Sequence, residues 1–218
     1  MPAGRSPLNR TRVVGAAVQL ADASGMAAVT MRATAAALGV EAMSLYHHVA
    51  NRADLVDGMV DAVFAEIELP DGGGNWRDHL RRLAVSARRA LQRHPWATGL
   101  LDSRSKPGPA TLRHHDSVLG ILRRSGFSPT MAIHALSVVD SYLYGNVLQE
   151  RSLPLDELRG QEPAAAQLLE SLPGNEYPYL AEIAAGRAGP DPAPGPDDEF
   201  AFGLDLILGA LTPDDPAA

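Results

Sequence analysis

The spacing of apolar residues along this chain is the feature that most limits its fold. Apolar side chains recur every three or four residues over most of the sequence, and few stretches alternate apolar with polar residues as a half-buried strand does. Glycine, proline and helix-capping residues separate these stretches. The pattern predicts an all-α protein, with helices at about 8–24, 30–38, 41–48, 51–68, 75–93, 109–125, 129–151 and 200–211.

Charge is distributed unevenly along the chain. Residues 1–52 carry five arginines against two acidic residues, whereas the remainder carries 14 basic and 24 acidic residues. Such an asymmetry is typical of a nucleic-acid-binding module joined to a part that does not touch phosphate. A Gly-rich break at 70–74 marks the predicted seam, and the Pro-, Gly- and Ala-rich stretch at 153–198 predicts a partly disordered segment.

The sequence disfavours several classes of protein. It contains no cysteine, which excludes thiol catalysis and cysteine-ligated metal sites. It has no apolar run long enough for a membrane span or a secretory signal, so we expect a cytoplasmic protein without a membrane partner. The patterns GxSxG, GxxxxGK and HExxH do not occur, and the seven histidines include no i, i+4 pair. We therefore expect no enzyme activity, no metal site and no cofactor.

The stretch 29–49, VTMRATAAALGVEAMSLYHHV, has the pattern of a helix-turn-helix. Gly39 can adopt the positive φ that a tight turn between two helices needs. Leu45 and Val49, four residues apart, would anchor the second helix in the core. Its outward residues would then reach a DNA major groove or the flanking phosphates, although two helices that only pack together can show the same pattern.

Residues 9–68 resemble the tetracycline repressor (TetR) family of bacterial regulators. The elements NRTRVVGAAVQLADASG, VTMRATAAALGV, LYHHV and NRADLVDGM occur in order at the family's spacing. Trp76, the HPW at 94–96 and the SGFSP at 125–129 resemble the family's second domain. The resemblance implies a three-helix DNA-binding domain at 1–52, a connecting helix and linker at 53–74, and a helical ligand-binding and dimerisation domain at 75–218.

The resemblance also implies roles for single residues of the helix-turn-helix. Arg32 would bind a phosphate or a guanine, Tyr46 and His48 would clamp phosphates, and Arg52 would grip the backbone after the recognition helix. Tyr46 could instead cover the surface of the bundle. Thr34 departs from the family pattern, because a core aliphatic residue is usual there. The implied DNA-binding set is Arg32, Ala42, Met43, Ser44, Tyr46, His47, His48 and Arg52, with Ala42, Met43 and Ser44 facing the base edges.

The helix predicted at 129–151 carries a line of residues that could face a small-molecule pocket. A pocket needs apolar walls with a few polar groups, although ordinary packing would also account for such residues. Small residues on the other side of this helix, Ser141 and Gly145, suit a close contact with the last helix. The predicted ligand-binding set is Leu83, Ala87, Trp96, His115, Leu119, Ile133, Ser137, Asp140 and Tyr144.

As a whole, the resemblance implies a one-component transcriptional regulator, by default a repressor. It would bind a near-palindromic operator in double-stranded DNA as a homodimer and leave it when a small-molecule effector binds. Tetracycline is not the expected effector, because Glu68, Leu83 and Leu101 stand where tetracycline repressors place the residues that bind the drug and its magnesium. The alternative is a helical protein-interaction module whose helix-turn-helix has lost specific DNA binding.

Overall fold

The computed structural model describes residues 7–70, 74–101, 106–152, 177–179, 182 and 195–214. The predicted all-α class is confirmed, because no β-strand occurs among these residues. In the same part of the chain, no helix combines the length and the apolar character that a bilayer span requires. The helices used below are α1 (Arg10–Ser24), α2 (Met31–Leu38), α3 (Ala42–Leu45), α4 (Arg52–Phe64), α5 (Trp76–Arg93), α6 (Pro109–Arg124), α7 (Pro129–Ser152) and α8 (Pro196–Ala210).

Side-chain caps begin three of the N-terminal helices. Thr30 accepts a hydrogen bond from the backbone N–H of Ala33 at 3.0 Å, and Asn51 accepts one from Asp54 at 2.9 Å. Asn9 caps α1 in the same way. Each cap satisfies a backbone N–H that has no partner within its own helix. The predicted caps Thr30 and Asn51 are thereby confirmed.

Two predicted helices are shorter than the sequence pattern indicated. The second helix of the helix-turn-helix, predicted at 41–48, is α-helical only over Ala42–Leu45, and α4 ends at Phe64 rather than near residue 68. In both places the backbone continues in i→i+3 turns, for example from the N–H of His48 to the carbonyl of Leu45. Apolar residues at helical spacing do not distinguish such tight turns from a further turn of α-helix.

The N-terminal helices share one apolar core. Leu45 and Val49 are buried in it, which confirms them as the anchors of α3 and the turn that follows it, residues 42–49, called the reading element below. Thr34 also lies inside, fully buried, and its hydroxyl has no hydrogen-bond partner among the described residues. The main members of this core are Val13, Ala17, Val29, Ala35, Leu45, Val49, Leu55, Val56 and Met59.

A close approach and an ion pair hold α1 against α4. A Cβ atom on Gly58 would lie 2.8 Å from a methyl group of Val14, so α4 needs a glycine at this crossing. The Arg10 guanidinium donates to both carboxylate oxygens of Asp54, at 2.6 and 3.0 Å. These contacts fix the angle between the first helix and the helix that follows the reading element.

A polar cluster ties the end of α5 to the ends of α1 and α4. The two ring nitrogens of the buried His94 lie 2.8 Å from Asp22 Oδ1 and 3.0 Å from Glu66 Oε1. Trp96 Nε1 donates to the same oxygen of Asp22 at 2.6 Å, and Arg93 pairs with Glu66 at 2.6 Å. The segment after α5 is therefore attached to the N-terminal helices.

The residues from Ser141 to Leu211 that the structure describes form a compact unit of their own, apart from those up to Asp140 and from Thr212 onward. In this unit the Tyr142 ring stacks on Phe200 at 5.5 Å, and its hydroxyl donates to the Phe200 carbonyl at 3.0 Å. A Cβ atom on Gly203 would overlap that hydroxyl. The side of α8 that faces α7 is therefore closely fitted.

The predicted boundaries at residues 52 and 74 separate a DNA-binding domain, a connecting segment and a ligand-binding domain. They stay predictions, because the division into compact units does not test where these functions begin and end. The segment predicted to be partly disordered, 153–198, lies largely outside the described residues.

Candidate DNA-binding face and effector site

The turn of the helix-turn-helix has the geometry that its sequence predicts. Gly39 lies in the left-handed region at φ 67°, ψ 38°, and its N–H bonds back to the carbonyls of α2. A residue with a Cβ atom rarely adopts this conformation, so glycine suits the turn. The short α3 then leaves the turn with Leu45 and Val49 buried beneath it.

Most of the predicted DNA-contacting residues lie on the outer side of this element. Met43 is 73% exposed and Tyr46 is 47% exposed. Arg32 and His47 are also exposed, whereas Ala42, Ser44 and His48 are half-buried. A flexible methionine and two aromatic rings on α3 and the turn after it, with an exposed arginine on α2, can contact both phosphates and base edges.

Arg52 has a different environment from the one that the sequence suggested. Its Nε donates to the carbonyl of Val29 at 2.9 Å, and one of its Nη atoms donates to the carbonyl of Met26 at 3.2 Å. The guanidinium thus joins the first turn of α4 to the loop between α1 and α2. These two bonds give Arg52 a structural role, and its contact with phosphate stays a prediction.

Arg10 and Asp54 position the reading element, and the sequence reasoning did not single them out. Arg10 donates to the carbonyl of His48 at 3.1 Å, and Asp54 accepts from the backbone N–H of Ala50 at 2.7 Å. The Arg10 guanidinium hydrogen-bonded to Asp54 holds the pKa of that carboxyl below its usual range. An Asp three residues after the cap Asn51 was the available signal, since this spacing is typical of a capping box.

On the effector side, the structure brings His115 and Asp140 together. His115 Nε2 lies 3.8 Å from Asp140 Oδ2. The Nδ1 of the same ring lies 2.9 Å from the carbonyl oxygen of Thr111 and donates to it, because a carbonyl can only accept. Burial raises the pKa of Asp140 to about 7. Both side chains remain partly exposed, at 34% for His115 and 20% for Asp140, so a ligand could reach this polar pair.

The other predicted ligand-binding residues are more scattered. Leu83 and Ala87, one turn apart on α5, are buried, and Leu119 is half-buried. Ile133 and Ser137 are exposed, while Tyr144 belongs to the other compact unit. Trp96 packs on the core of the N-terminal helices and donates to Asp22. Helix α7 instead buries a line that the sequence reasoning passed over: Ala132, Ala135, Val139, Leu143 and Val147.

His114 is a buried polar residue that the sequence reasoning also missed. It is 5% exposed, its Nδ1 has no hydrogen-bond partner among the described residues, and its ring contacts the edge of Phe64. Burial, with a smaller effect of the neighbouring His115, lowers the pKa of His114 to about 4. The ring is therefore neutral at pH 7. Only its position beside His115 could have suggested it from the sequence.

Two family models cover most of the chain. That of bacterial regulatory proteins of the tetR family matches residues 13–59, and that of the tetracyclin repressor-like C-terminal domain matches residues 69–212. The second model alone spans more than half of the sequence. Both regions correspond to those in which the sequence resembled the family.

Individual relatives agree with the family models. The HTH-type transcriptional repressor DrrR1 of Streptomyces coeruleorubidus is 33% identical over 213 residues, which cover 94% of this chain and 77% of the relative. The tetracycline repressor protein class C of Escherichia coli is 28% identical over 208 residues, 94% of this chain and 90% of the relative. The structure of ActR from Streptomyces coelicolor in complex with actinorhodin has a TM-score of 0.75 at 29% identity and covers 94% of this chain and 95% of ActR. The chain therefore belongs to the TetR family, and it is a DNA-binding transcription regulator with a ligand-binding domain rather than an enzyme.

Proposed function

We propose that this regulator is a repressor that binds a near-palindromic operator as a homodimer and leaves it when a small molecule other than tetracycline binds. The outer face of α3 carries the DNA-binding part of this proposal. Met43 and Tyr46 are exposed there and Arg32 is exposed on the preceding helix α2, while Leu45 and Val49 hold the element in the core. Side chains of these types, exposed on a helix-turn-helix, are available for contact with phosphates and base edges.

The homodimer is supported by the apolar face of α8. Phe202 and Leu206, four residues apart, are 68% and 60% exposed, whereas Phe200, Leu204 and Leu208 are buried on the other side of the helix. A helix that is apolar on both sides needs a second partner. A second copy related by a two-fold axis would supply it and would present two copies of α3 to the DNA about 34 Å apart.

The effector proposal rests on the region between α5 and α6. ActR is solved with actinorhodin, and a TetR variant from Acinetobacter baumannii is solved with minocycline. In this chain we expect Leu83, Ala87 and Leu119 to form apolar walls and the pair His115–Asp140 to bind a polar group of the effector. Tetracycline is not expected, because Glu68, Leu83 and Leu101 replace the residues that bind the drug and its magnesium in tetracycline repressors. Trp96, Ile133, Ser137 and Tyr144 remain further candidates.

The transmission step is proposed to run through α4 and the turns after it, from Asn51 to Glu68, since this segment follows the reading element and precedes α5. An effector that favours one pose of this helix by 1 to 3 kcal/mol would change operator affinity about 5- to 150-fold. An effector that binds without changing operator affinity would contradict this step and leave the DNA-binding proposal standing.

Binding to DNA can be tested with duplexes from the region flanking the gene and with a random-sequence pool. We expect saturable binding that weakens steeply with salt, because neutralised phosphates release counterions. Arg32→Ala and Tyr46→Ala should weaken binding, and each lost phosphate contact should reduce the salt slope by about 1.

Arg89→Ala is the matched control, since it removes an exposed arginine from α5, away from the reading element. If Arg32→Ala behaved like Arg89→Ala, the assignment of the DNA-binding face would be wrong. If the protein selected no duplex at any salt concentration, the protein-interaction module would become the better proposal.

A further inference from the structure

The first turn of α6 receives its cap from another helix. Its own N-cap residue is Gly108, which has no side chain to accept a hydrogen bond. The backbone N–H of Thr111 instead donates to Asp61 Oδ1 on α4 at 2.9 Å, and the Thr111 hydroxyl donates to the same oxygen at 3.1 Å. The carboxylate also lies at the positive end of the α6 dipole.

The space around Asp61 is fitted to this contact. A Cβ atom on Gly108 would overlap the Asp61 carboxylate. The φ of Gly108 is −79°, which any residue can adopt, so a Cβ atom here would not strain the backbone but would displace the Asp61 carboxylate. The contact therefore depends on two positions far apart in the sequence, one on each side of the junction between the two helices.

Asp61 lies on the face of α4 that also holds α1. Asp54 pairs with Arg10, Gly58 lies against Val14, and Asp61 follows at the next helical position, i+7 from Asp54. A cavity of about 520 Å³ remains beside these residues, lined by α1, α4 and the start of α6. Ala110 and Thr111 are nevertheless buried in the first turn of α6, so packing and the directional hydrogen bonds of Asp61 together set its position.

A second contact between α4 and α6 is of a different kind. Phe64, one turn after Asp61, packs its ring against His114 with centroids 5.4 Å apart. This contact is a packing of two rings and involves no hydrogen bond between them. The Asp61 bonds are directional and weaken steeply once their angle falls below about 120°.

We propose that Asp61 is the positioning residue through which α6 sets the pose of α4 and, through Arg10 and Val14, the pose of the reading element. The inference rests on the proposed function and adds the contact at which the two parts are coupled. When the Asp61–Thr111 bonds are made, α4 is held in the pose that binds DNA. When they break, water can replace them at small cost and α4 can rotate about the Phe64 contact.

Coupling is reciprocal, so DNA can be used to test it without the effector. The experiment measures hydrogen exchange of the full chain, with and without a duplex that the protein has selected from a random-sequence pool. In the wild-type protein, bound DNA should slow exchange of the Thr111 and Leu112 amides about fivefold or more. In Asp61→Ala these amides should exchange fast in both states, and DNA affinity should fall by a similar factor.

Two further variants separate positioning from general stability. Asp61→Asn keeps an oxygen that can accept from Thr111, so it should restore the effect of DNA on α6. Gly108→Ala should displace the Asp61 carboxylate and so abolish the slowing of Thr111 and Leu112 exchange by DNA. This variant keeps the test available even if Asp61→Ala does not fold. Asp116→Ala, which removes an exposed carboxylate from α6, should behave as the wild type.

The inference would be overturned if bound DNA slowed Thr111 and Leu112 exchange as much in Asp61→Ala or Gly108→Ala as in the wild type. It would also be overturned if saturating DNA did not slow this exchange in the wild type. Both results would leave DNA binding intact. Failure to select any duplex would instead overturn the proposed function, and the inference with it.

Discussion

The buried hydroxyl of Thr34 predicts that one substitution will stabilise this protein. Thr34 is fully buried on α2, and its Oγ1 has no hydrogen-bond partner among the described residues. A buried polar group without a partner costs about 1–3 kcal/mol relative to water. Thr34→Val replaces the hydroxyl with a methyl group of nearly the same size and keeps the β-branched shape. We expect a gain of about 1 kcal/mol in the free energy of unfolding.

The same substitution four residues earlier, Thr30→Val, should lower the free energy of unfolding rather than raise it. Thr30 is exposed, and its Oγ1 caps α2 by accepting from the N–H of Ala33. Thr30→Val should therefore cost about 1 kcal/mol, within the range of roughly 0.5–2 kcal/mol measured for lost N-caps. The two variants make the same chemical change, so their difference of about 2 kcal/mol combines the opposite effects on hydrogen bonding with the burial of the new methyl group at position 34 only.

Urea unfolding followed by circular dichroism would measure both variants against the wild type. In a chain of this size, about 1 kcal/mol corresponds to a shift of about 2–4 °C in Tm. DNA affinity should stay unchanged in Thr34→Val, since the side chain does not reach the surface. Destabilisation of Thr34→Val to the extent of Thr30→Val would refute the reasoning, because the hydroxyl would then have a favourable partner in the folded protein.

Three further predictions concern packing and pH. Gly203→Ala should cost about 1–3 kcal/mol, because the new methyl group overlaps the Tyr142 hydroxyl, and adding Tyr142→Phe should recover part of that loss in thermal melts. Arg10 lowers the pKa of Asp54, so this pair stabilises the fold above the usual pKa of Asp and the benefit is lost as pH falls through the lowered value. Asp54→Asn should therefore show a shallower loss of stability in acid than the wild type, and an unchanged acid profile would contradict the role of the pair. Burial raises the pKa of Asp140 to about 7. The stability that the fold has with a neutral Asp140 is therefore fully present below about pH 4 and is lost as pH rises towards and through 7. Asp140→Asn should be more stable than the wild type at about pH 8 and equal to it at about pH 4 in urea titrations, and a constant difference would show that ionisation is not the cause.

Features set by neighbouring residues could be predicted from the sequence. The caps Thr30 and Asn51 and the turn at Gly39 each depend on contacts within a few residues, so the sequence pattern is sufficient to identify them. The anchors Leu45 and Val49 follow from helical spacing in the same way. The outward position of Met43, Tyr46 and His47 could therefore be predicted before the fold was known, and their contact with DNA stays a prediction.

Contacts between distant segments could not be predicted in this way. The packing of Trp96 on the core of the N-terminal helices has no signal in the sequence, because an aromatic residue in a loop can pack on either of two neighbouring cores. Its contact with an effector stays a prediction. The role of Arg52 depends on carbonyl groups more than twenty residues away. The contact between Asp61 and Thr111 spans fifty residues and has no local signal.

The attachment of Trp96 to Asp22 also gives the protein a built-in optical probe. The chain contains two tryptophans, and the other, Trp76, lies against Phe127 with ring centroids 4.9 Å apart. In a Trp76→Phe variant, the remaining indole would have its N–H hydrogen-bonded to a carboxylate at the junction of α1 with the segment after α5. Indole emission depends on such a nearby charge. Unlabelled protein would then signal, by colour and intensity, whether the N-terminal helices stay attached at this junction while DNA or a candidate effector is added.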